Sequence, residues 1–155
     1  MIEKKAYNPM ISTESTAVIN QVPNTRQEFV IKNELDIITA RQAARELARQ
    51  SGFKPVVGTW IATVVSELAR NILLYAREGT ITIDAAEKND KKYIEIIARD
   101  QGPGIADIDL AMSDGYSTRQ GLGMGLSGSK RLMDDFQIES RVGQGTIIKT
   151  RKWLQ

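Results

Sequence analysis

The sequence contains neither cysteine nor histidine among its 155 residues. Without cysteine the chain forms no disulfide and no thiolate metal site. Without histidine it lacks Ser-His-Asp catalysis, histidine metal sites and self-phosphorylation on histidine. Any acid–base chemistry therefore falls to carboxylates, lysines or water.

An excess of charge and a long apolar run are also lacking. The chain has 21 basic and 19 acidic residues, and this net charge of +2 is too small and too evenly spread to indicate a nucleic-acid surface. No apolar run approaches the roughly eighteen residues needed to cross a bilayer. The early lysines, Lys4 and Lys5, are not followed by the apolar core of a signal peptide. We expect a cytoplasmic protein with no nucleic-acid and no membrane partner.

Residues 1–25 are polar and predict a flexible N-terminal arm, which leaves residues 26–155 as one domain. In that domain, hydrophobic periodicity and turn residues delimit the helices and strands, with Gly52 as a C-terminal cap of the first long helix and the turn residues 88–91 joining two strands into a hairpin. The predicted elements are a strand over 26–32, helices over 33–50 and about 57–72, strands over 80–87 and 92–100, helices over 106–112 and 125–136, and strands over 138–142 and 146–153. Helices beside hairpin-linked strands predict an α/β (α+β) fold, a two-layer sandwich of a mixed, mainly antiparallel sheet with helices on one face.

Glu67 and Asn71 are four residues apart at one edge of the apolar stripe of the second helix. An ordinary polar pair at the margin of a core has this spacing. A magnesium-and-base pair has it too, with the amide oxygen of Asn71 on the ion and Glu67 orienting or deprotonating a nucleophile. Magnesium prefers hard oxygen ligands and retains several waters, so one protein oxygen plus phosphates can hold it.

The segment 100–105, Asp-Gln-Gly-Pro-Gly-Ile, follows a predicted strand that ends in a carboxylate. It is compatible with a simple type II turn. A ligand site is the alternative, in which the glycines let a planar ligand approach the backbone and Asp100 accepts a hydrogen bond from a ligand amine, although many ordinary turns match the same pattern.

The segment 121–126, Gly-Leu-Gly-Met-Gly-Leu, leads directly into a predicted helix. Such a loop is either a flexible helix cap or a cradle whose backbone N–H groups bind an anion at the helix start. It is not a Walker A motif, because the Gly-Lys-Ser/Thr ending is missing. It does not fit the dinucleotide fingerprint, which follows a strand within a βαβ unit.

Taken in this order, together with the later pair Gly145-Thr146, these segments resemble the GHKL (Bergerat-fold) ATPase and kinase superfamily over roughly residues 26–153. The segments 66–71, 100–105, 114–118, 130–136 and 152–154 are similar to the RsbT-type switch kinases of bacterial stressosomes. The resemblance implies an ATP- and Mg²⁺-dependent serine/threonine protein kinase. It would phosphorylate STAS-domain scaffold proteins and, once released, activate a downstream signalling enzyme.

The resemblance also implies roles for individual residues. Glu67 would be the catalytic base, Asn71 the magnesium ligand and Asp100 the partner of the adenine amine, with Thr146 supporting Asp100 or its bridging water. The remaining nucleotide-binding residues that it implies are Gly102, Gly104, Ile105, Arg119, Gly121, Gly123, Met124, Gly125 and Leu126. Arg119 is equally well explained as polar surface, and Arg70 as a partner contact or a salt bridge.

Two other functions remain open at this point. An anti-sigma-factor kinase would share the same ATP site, and a non-catalytic binding module would use nucleotide only to set its shape. A histidine-kinase fragment is disfavoured because the sequence has no phosphoacceptor histidine.

Overall fold

The computed structural model describes residues 25–113 and 124–155. It contains a five-stranded sheet. The strands are β1 (Gln27–Ile31), β2 (Gly79–Lys88), β3 (Lys91–Asp100), β4 (Asp135–Arg141) and β5 (Gly145–Trp153). Their order in the sheet is β1-β2-β3-β5-β4. Each neighbouring pair is antiparallel. The predicted two-layer class is confirmed, and the expected mixed sheet is fully antiparallel within the described residues.

Four α-helices accompany the described part of the sheet. They are α1 (Glu34–Gln50), α2 (Pro55–Asn71), α3 (Ile108–Ala111) and α4 (Gly125–Leu132), and α2 continues into a π-helical segment, Ile72–Ala76. A capping box begins α1, because the Asn33 side chain accepts from the Asp36 N–H at 3.0 Å and the Asp36 carboxylate accepts from the Asn33 N–H at 3.2 Å. Gly52, with φ 95°, lies just beyond its end, as predicted.

The core lies between the helices and one face of the sheet. α1 and α2 approach closely where Gly58 faces Ala48, since a Cβ added to Gly58 would lie 3.5 Å from the Cβ of Ala48. Alternate strand residues complete the core because side chains on a strand point to opposite faces in turn. Its fully buried large side chains are Ile31, Ile37, Ile61, Val64, Val65, Leu68, Ile72, Ile81, Ile83, Ile94 and Ile96.

One helical stretch, Pro55–Ala76, is long and apolar enough by length and composition to cross a membrane. Its most apolar window is 56% buried inside the protein, as expected for the central helix of a packed core.

The opposite face of the sheet carries mainly polar side chains. Arg151 on β5 donates from Nε to Glu95 on β3 at 2.8 Å, and its guanidinium carbon lies 4.7 Å from the centre of the Tyr93 ring. The hydrogen bond to Glu95 raises the pKa of the Arg151 guanidinium above its ordinary value. This arginine therefore stays charged and joins β3 to β5 on that face.

The β2–β3 connection has the predicted turn. Asn89 and Asp90 both have positive φ, 53° and 64°, which is the requirement of the two-residue turns that match the twist of a hairpin.

The predicted helix over 125–136 is too long. α4 ends at Leu132, and β4 already begins at Asp135. The cause is competition from the sheet: the Asp134 N–H donates to the Arg151 carbonyl at 2.9 Å, and the Asp134 carboxylate accepts from the Trp153 N–H at 2.8 Å. These bonds attach the chain to β5 before another helical turn forms.

The predicted N-terminal arm lies outside the described residues except for Thr25. The Thr25 hydroxyl lies 2.7 Å from an Asp84 carboxylate oxygen and 2.8 Å from the Ala85 carbonyl, and it accepts from the Ala85 N–H at 3.2 Å. Thr25, two residues before β1, is thus attached to β2.

Candidate nucleotide site

Asp100, Thr146 and Ser140 lie side by side on three neighbouring strands. Asp100 on β3 is paired with Thr146 on β5, which is paired in turn with Ser140 on β4. Paired residues on neighbouring strands point to the same face, so the side chains line up on the helix side of the sheet. The hydroxyl oxygens of Thr146 and Ser140 are 2.8 Å apart. Antiparallel register alone therefore brings the Asp100 carboxylate and two hydroxyls into one row.

The loop after β3 is fastened to the turn between β4 and β5. The Ile105 N–H donates to the Ser140 hydroxyl at 2.7 Å, and the Gly143 N–H donates to the Pro103 carbonyl at 2.8 Å. These bonds join segments almost forty residues apart in sequence. They close one end of the row and hold the loop over the helix side of the sheet.

The loop glycines are explained by close chain packing. A Cβ on Gly102 would lie 2.6 Å from the Cβ of Ala76, and a Cβ on Gly104, whose φ is 77°, would collide with the Arg141 carbonyl. The Gly102 N–H also donates to the Asp100 carboxylate at 2.9 Å. Gly102 thus fixes the orientation of Asp100, although it does not line the cavity between this row and α2.

A cavity of about 350 Å³ lies between this row and α2. Its volume is in the range of small-molecule sites, and its lining is mainly apolar with a few polar groups, as such sites usually are. The lining residues are Leu68, Asn71, Ile72, Tyr75, Ala98, Asp100, Pro103, Gly104, Ile105, Ala106, Asp107, Leu110, Ala111, Leu126, Thr146 and Ile148.

Six of the residues predicted for the site meet around this cavity: Asn71, Asp100, Gly104, Ile105, Leu126 and Thr146. Met124 and Gly125 lie at the start of α4, next to Leu126. The predicted residues Arg119, Gly121 and Gly123, and the segment 114–118, lie outside the described residues.

Sequence reasoning missed Tyr75, Leu110 and Ser140. Tyr75 is half exposed and follows Asn71 by four residues, so helical spacing offered a signal for it. Leu110, on the short α3, had no comparable signal. Ser140 is recognisable only through the register in which β4 pairs with β5, which the predicted hairpin leaves undefined.

The Glu67 carboxylate is buried and joins α2 to α4. One oxygen accepts from the Gly125 N–H at 3.3 Å, and the other is 3.5 Å from the Arg70 guanidinium. Arg70 was expected to make either a partner contact or a salt bridge, and the structure contains the salt bridge, to Glu67. A carboxylate at the start of a helix is favoured by the helix dipole and the free N–H groups there. Glu67 therefore occupies an amide that could also bind a phosphate oxygen.

The Asn71 carboxamide lines the cavity and has no hydrogen-bond partner in the described part of the chain. The described residues also contain no cluster of three or more carboxylates that could hold a metal ion by itself. An ion at Asn71 would therefore take most of its ligands from phosphate and water, as magnesium usually does in proteins. The residues present fit that arrangement.

A wider cleft of about 1070 Å³ opens near the same end of the sheet. It shares Asp100 and Thr146 with the smaller cavity but also contains charges of both signs, among them Arg99 and Glu139. It lacks Asn71, so it does not combine Asp100 and Thr146 with the side chain expected to hold the ion.

Residues 57–155 match the family described as histidine kinase-, DNA gyrase B- and HSP90-like ATPases. The chain belongs to this ATPase family. The serine/threonine-protein kinase RsbT of Bacillus subtilis (strain 168) is 52% identical over 125 residues, which are 81% of this chain and 94% of RsbT. The anti-sigma F factor of Caldanaerobacter subterraneus subsp. tengcongensis is 37% identical over 100 residues, which are 61% of this chain and 68% of that factor.

A similar fold is found in a solved complex. The SiaB–SiaC complex of Pseudomonas aeruginosa contains a chain that matches with a TM-score of 0.50 and 12% identity, covering 94% of this chain and 98% of that one. At this identity the likeness concerns the fold alone. The similarity to RsbT confirms the prediction of a GHKL-type serine/threonine kinase that uses ATP.

Proposed function

We propose that the chain transfers the γ-phosphate of ATP to a serine or threonine of a STAS-domain scaffold protein in the cytoplasm. The observation that carries the proposal is that Asp100 and Thr146, paired at the sheet, line one cavity together with Asn71 of α2. Glu67, four residues before Asn71 on that helix, does not line the cavity but contacts Gly125 at the start of α4, next to the lining residue Leu126. Adenine recognition and phosphate chemistry then occupy opposite ends of a single site.

Adenine would bind at the sheet end. The Gly102 N–H engages one oxygen of Asp100, and the other has no hydrogen bond from the described residues. That oxygen is an acceptor for the exocyclic amine of adenine, whereas guanine presents a carbonyl at the same position. Apolar walls from Ile72, Ile105 and Ile148 would cover the base.

The phosphates would bind toward the start of α4. Gly125 has a positive φ, 71°, and a backbone N–H that already engages a carboxylate. A phosphate oxygen offers the same acceptor chemistry with more charge, so it would compete with Glu67 for this amide. Mg²⁺, when bound, would neutralise phosphate charge, and Asn71 is the side chain that would hold it.

Phosphoryl transfer requires alignment and charge stabilisation more than covalent help from the protein. Glu67, displaced from Gly125, would accept the proton of the attacking hydroxyl while Arg70 keeps its other oxygen oriented. General-base assistance of this kind contributes typically about 10²–10⁴-fold. The acceptor hydroxyl comes from another protein, so recognition of that partner would limit the rate.

The STAS substrate and the later activation of a downstream signalling enzyme are supported by the 52% identity to RsbT together with the RsbT-type segments of the sequence. The decisive experiment is transfer of radiolabelled phosphate from ATP to a purified STAS-domain protein. Glu67→Gln is the matched negative control, since it keeps an acceptor for Gly125 but removes the base. If wild type and Glu67→Gln label the STAS protein equally slowly, the proposal fails.

A second candidate function is that of an anti-sigma-factor kinase. It is favoured by the 37% identity to a protein named anti-sigma F factor. The two functions share the ATP site and differ in the bound partner. Co-purification with a sigma factor, and its release on phosphorylation of an antagonist, would select this alternative. A nucleotide-switched module without catalysis would show neither transfer reaction.

A further inference from the structure

The Ser140 hydroxyl is a junction of three segments. Its oxygen is 2.7 Å from the Ile105 nitrogen, 3.0 Å from the Gly145 carbonyl oxygen and 2.8 Å from the Thr146 hydroxyl oxygen. Thr146 lines the 350 Å³ cavity, and Ser140 does not. Whatever Ser140 does for a ligand in that cavity, it does through Thr146.

The partners of Ser140 determine where its proton lies. A serine hydroxyl has one proton to donate and two lone pairs to accept with. The Ile105 N–H only donates and therefore uses one lone pair, while the Gly145 carbonyl only accepts and therefore requires the proton. The remaining contact is then a bond that Thr146 donates to the second lone pair. This is the single arrangement in which all three contacts are hydrogen bonds.

This proton order has a consequence for the cavity. The Thr146 proton is used on Ser140, so Thr146 presents only lone pairs to a ligand. Its strand neighbour Asp100 likewise offers an acceptor, the carboxylate oxygen that Gly102 leaves open. The two residues form a wall without donors. Two acceptors can pair with a ligand amine. A ligand carbonyl at the same place would find no donor and would lose its hydrogen bonds to water, which weakens binding.

We infer that Ser140 is a positioning residue that sets base specificity: by fixing the Thr146 proton, it favours a purine with a 6-amino group over a 6-oxo purine. The inference rests on the proposed nucleotide site and adds to it a determinant that makes no contact with the ligand cavity. Without the Ser140 acceptor, the Thr146 hydroxyl is free to rotate and donate to a 6-oxo group.

The test compares ATP with inosine triphosphate (ITP), in which a 6-oxo group replaces the 6-amino group. Calorimetry on the full chain gives both affinities for wild type, Ser140→Ala, Thr146→Val and the double variant. We expect Ser140→Ala to lower the ATP-to-ITP affinity ratio about tenfold. Thr146→Val should lower it as well, and adding Ser140→Ala to Thr146→Val should change it no further, because the hydroxyl on which Ser140 acts is gone.

A merely structural role makes a different prediction. Loss of the bond to Ile105 would loosen the loop and weaken both nucleotides together, leaving the ratio unchanged, and that result in Ser140→Ala overturns the inference. Ser140→Thr, which keeps the hydroxyl, should keep the wild-type ratio. If Ser140→Ala does not fold, Ser140→Cys serves instead, because a thiol is similar in shape and a poorer partner. The ATP-to-ITP affinity ratio of Ser140→Cys should also be lower than that of wild type. An unchanged ratio refutes the positioning role of Ser140.

The two levels of the proposal fail separately. A wild type that binds neither ATP nor ITP removes the nucleotide site itself, and the role of Ser140 with it. A wild type that prefers ATP, with a Ser140→Ala variant that prefers it equally, leaves the kinase site standing and removes Ser140 alone.

Discussion

The Glu67 carboxylate accepts a hydrogen bond of 3.3 Å from the backbone N–H of Gly125, 58 residues further along the chain. This bond connects the helix that carries the proposed base to the helix that would receive the phosphates. A base held in this way is occupied until another acceptor takes the amide. If phosphate binds that amide as proposed, nucleotide binding would also release the base.

Glu67→Gln should slow phosphate transfer by about 10²-fold or more while ATP affinity stays close to wild type. The glutamine oxygen can still accept from Gly125, so the helix contact is retained and proton acceptance is lost. Single-turnover labelling and calorimetry measure the two quantities. Glu87→Gln, at an exposed end of β2, is the matched control. Wild-type transfer by Glu67→Gln would show that another group takes the proton.

Asp100→Asn should weaken ATP binding by about 1–3 kcal/mol, the usual cost of losing a charged hydrogen bond. The substitution preserves volume, and the amide oxygen can still accept from the Gly102 N–H. Asp90→Asn, in the exposed β2–β3 turn, makes the same chemical change away from the cavity and should leave ATP binding unaltered. Equal ATP affinity in a folded Asp100→Asn variant would remove Asp100 from the site.

Asn71→Ala should reduce the part of ATP affinity that depends on magnesium. The carboxamide has no partner among the described residues, so its removal breaks no internal hydrogen bond. Calorimetry with magnesium and with a chelator separates the two contributions, and Gln137→Ala on exposed β4 controls for loss of a surface amide. A fall in affinity of the same size with chelator present would contradict a metal role for Asn71.

Gly145→Ala and Gly143→Ala form a matched pair in the β4–β5 turn. Both glycines have positive φ, 109° and 81°, so each alanine should cost about 1–2 kcal/mol of stability in backbone strain. A Cβ on Gly145 would also collide with the Asp100 carbonyl, whereas a Cβ on Gly143 would meet nothing within 4 Å. We expect Gly145→Ala to lose about 1–3 kcal/mol more in denaturant unfolding. Equal losses would refute the close packing of the turn on Asp100.

The sequence predicted most of the fold because its signals are local. The apolar stripe of α2, the Asn89-Asp90 turn and the Gly52 end of α1 each appear as predicted. The end of α4 did not, because Met133 and Asp134 continue a helical pattern locally while their backbone is attached to β5, a strand that follows later in the chain. Hydrogen bonds between distant segments decide such boundaries, and no local pattern contains them.

The candidate site likewise contains residues that the sequence pointed to and residues that only the three-dimensional structure brings together. Asn71 and Asp100 belong to segments that the family resemblance points to, and both line the cavity. Ser140 and Leu110 reach the site only through strand register and loop packing, so their roles require the three-dimensional arrangement. For Arg70, helical angle alone allowed several interpretations, and only the position of the Glu67 side chain distinguishes among them.

Glu67 and Asn71 stand on the same helix as Val64 and Leu68, two of the least accessible side chains of the core. The packing of that helix on the sheet therefore also sets the distance between Asp100 and the proposed phosphate end of the site. This distance has to match the length of a nucleotide. A Leu68→Ala substitution would change this distance. We therefore expect it to misalign the phosphates and slow phosphate transfer, in addition to lowering the stability of the fold.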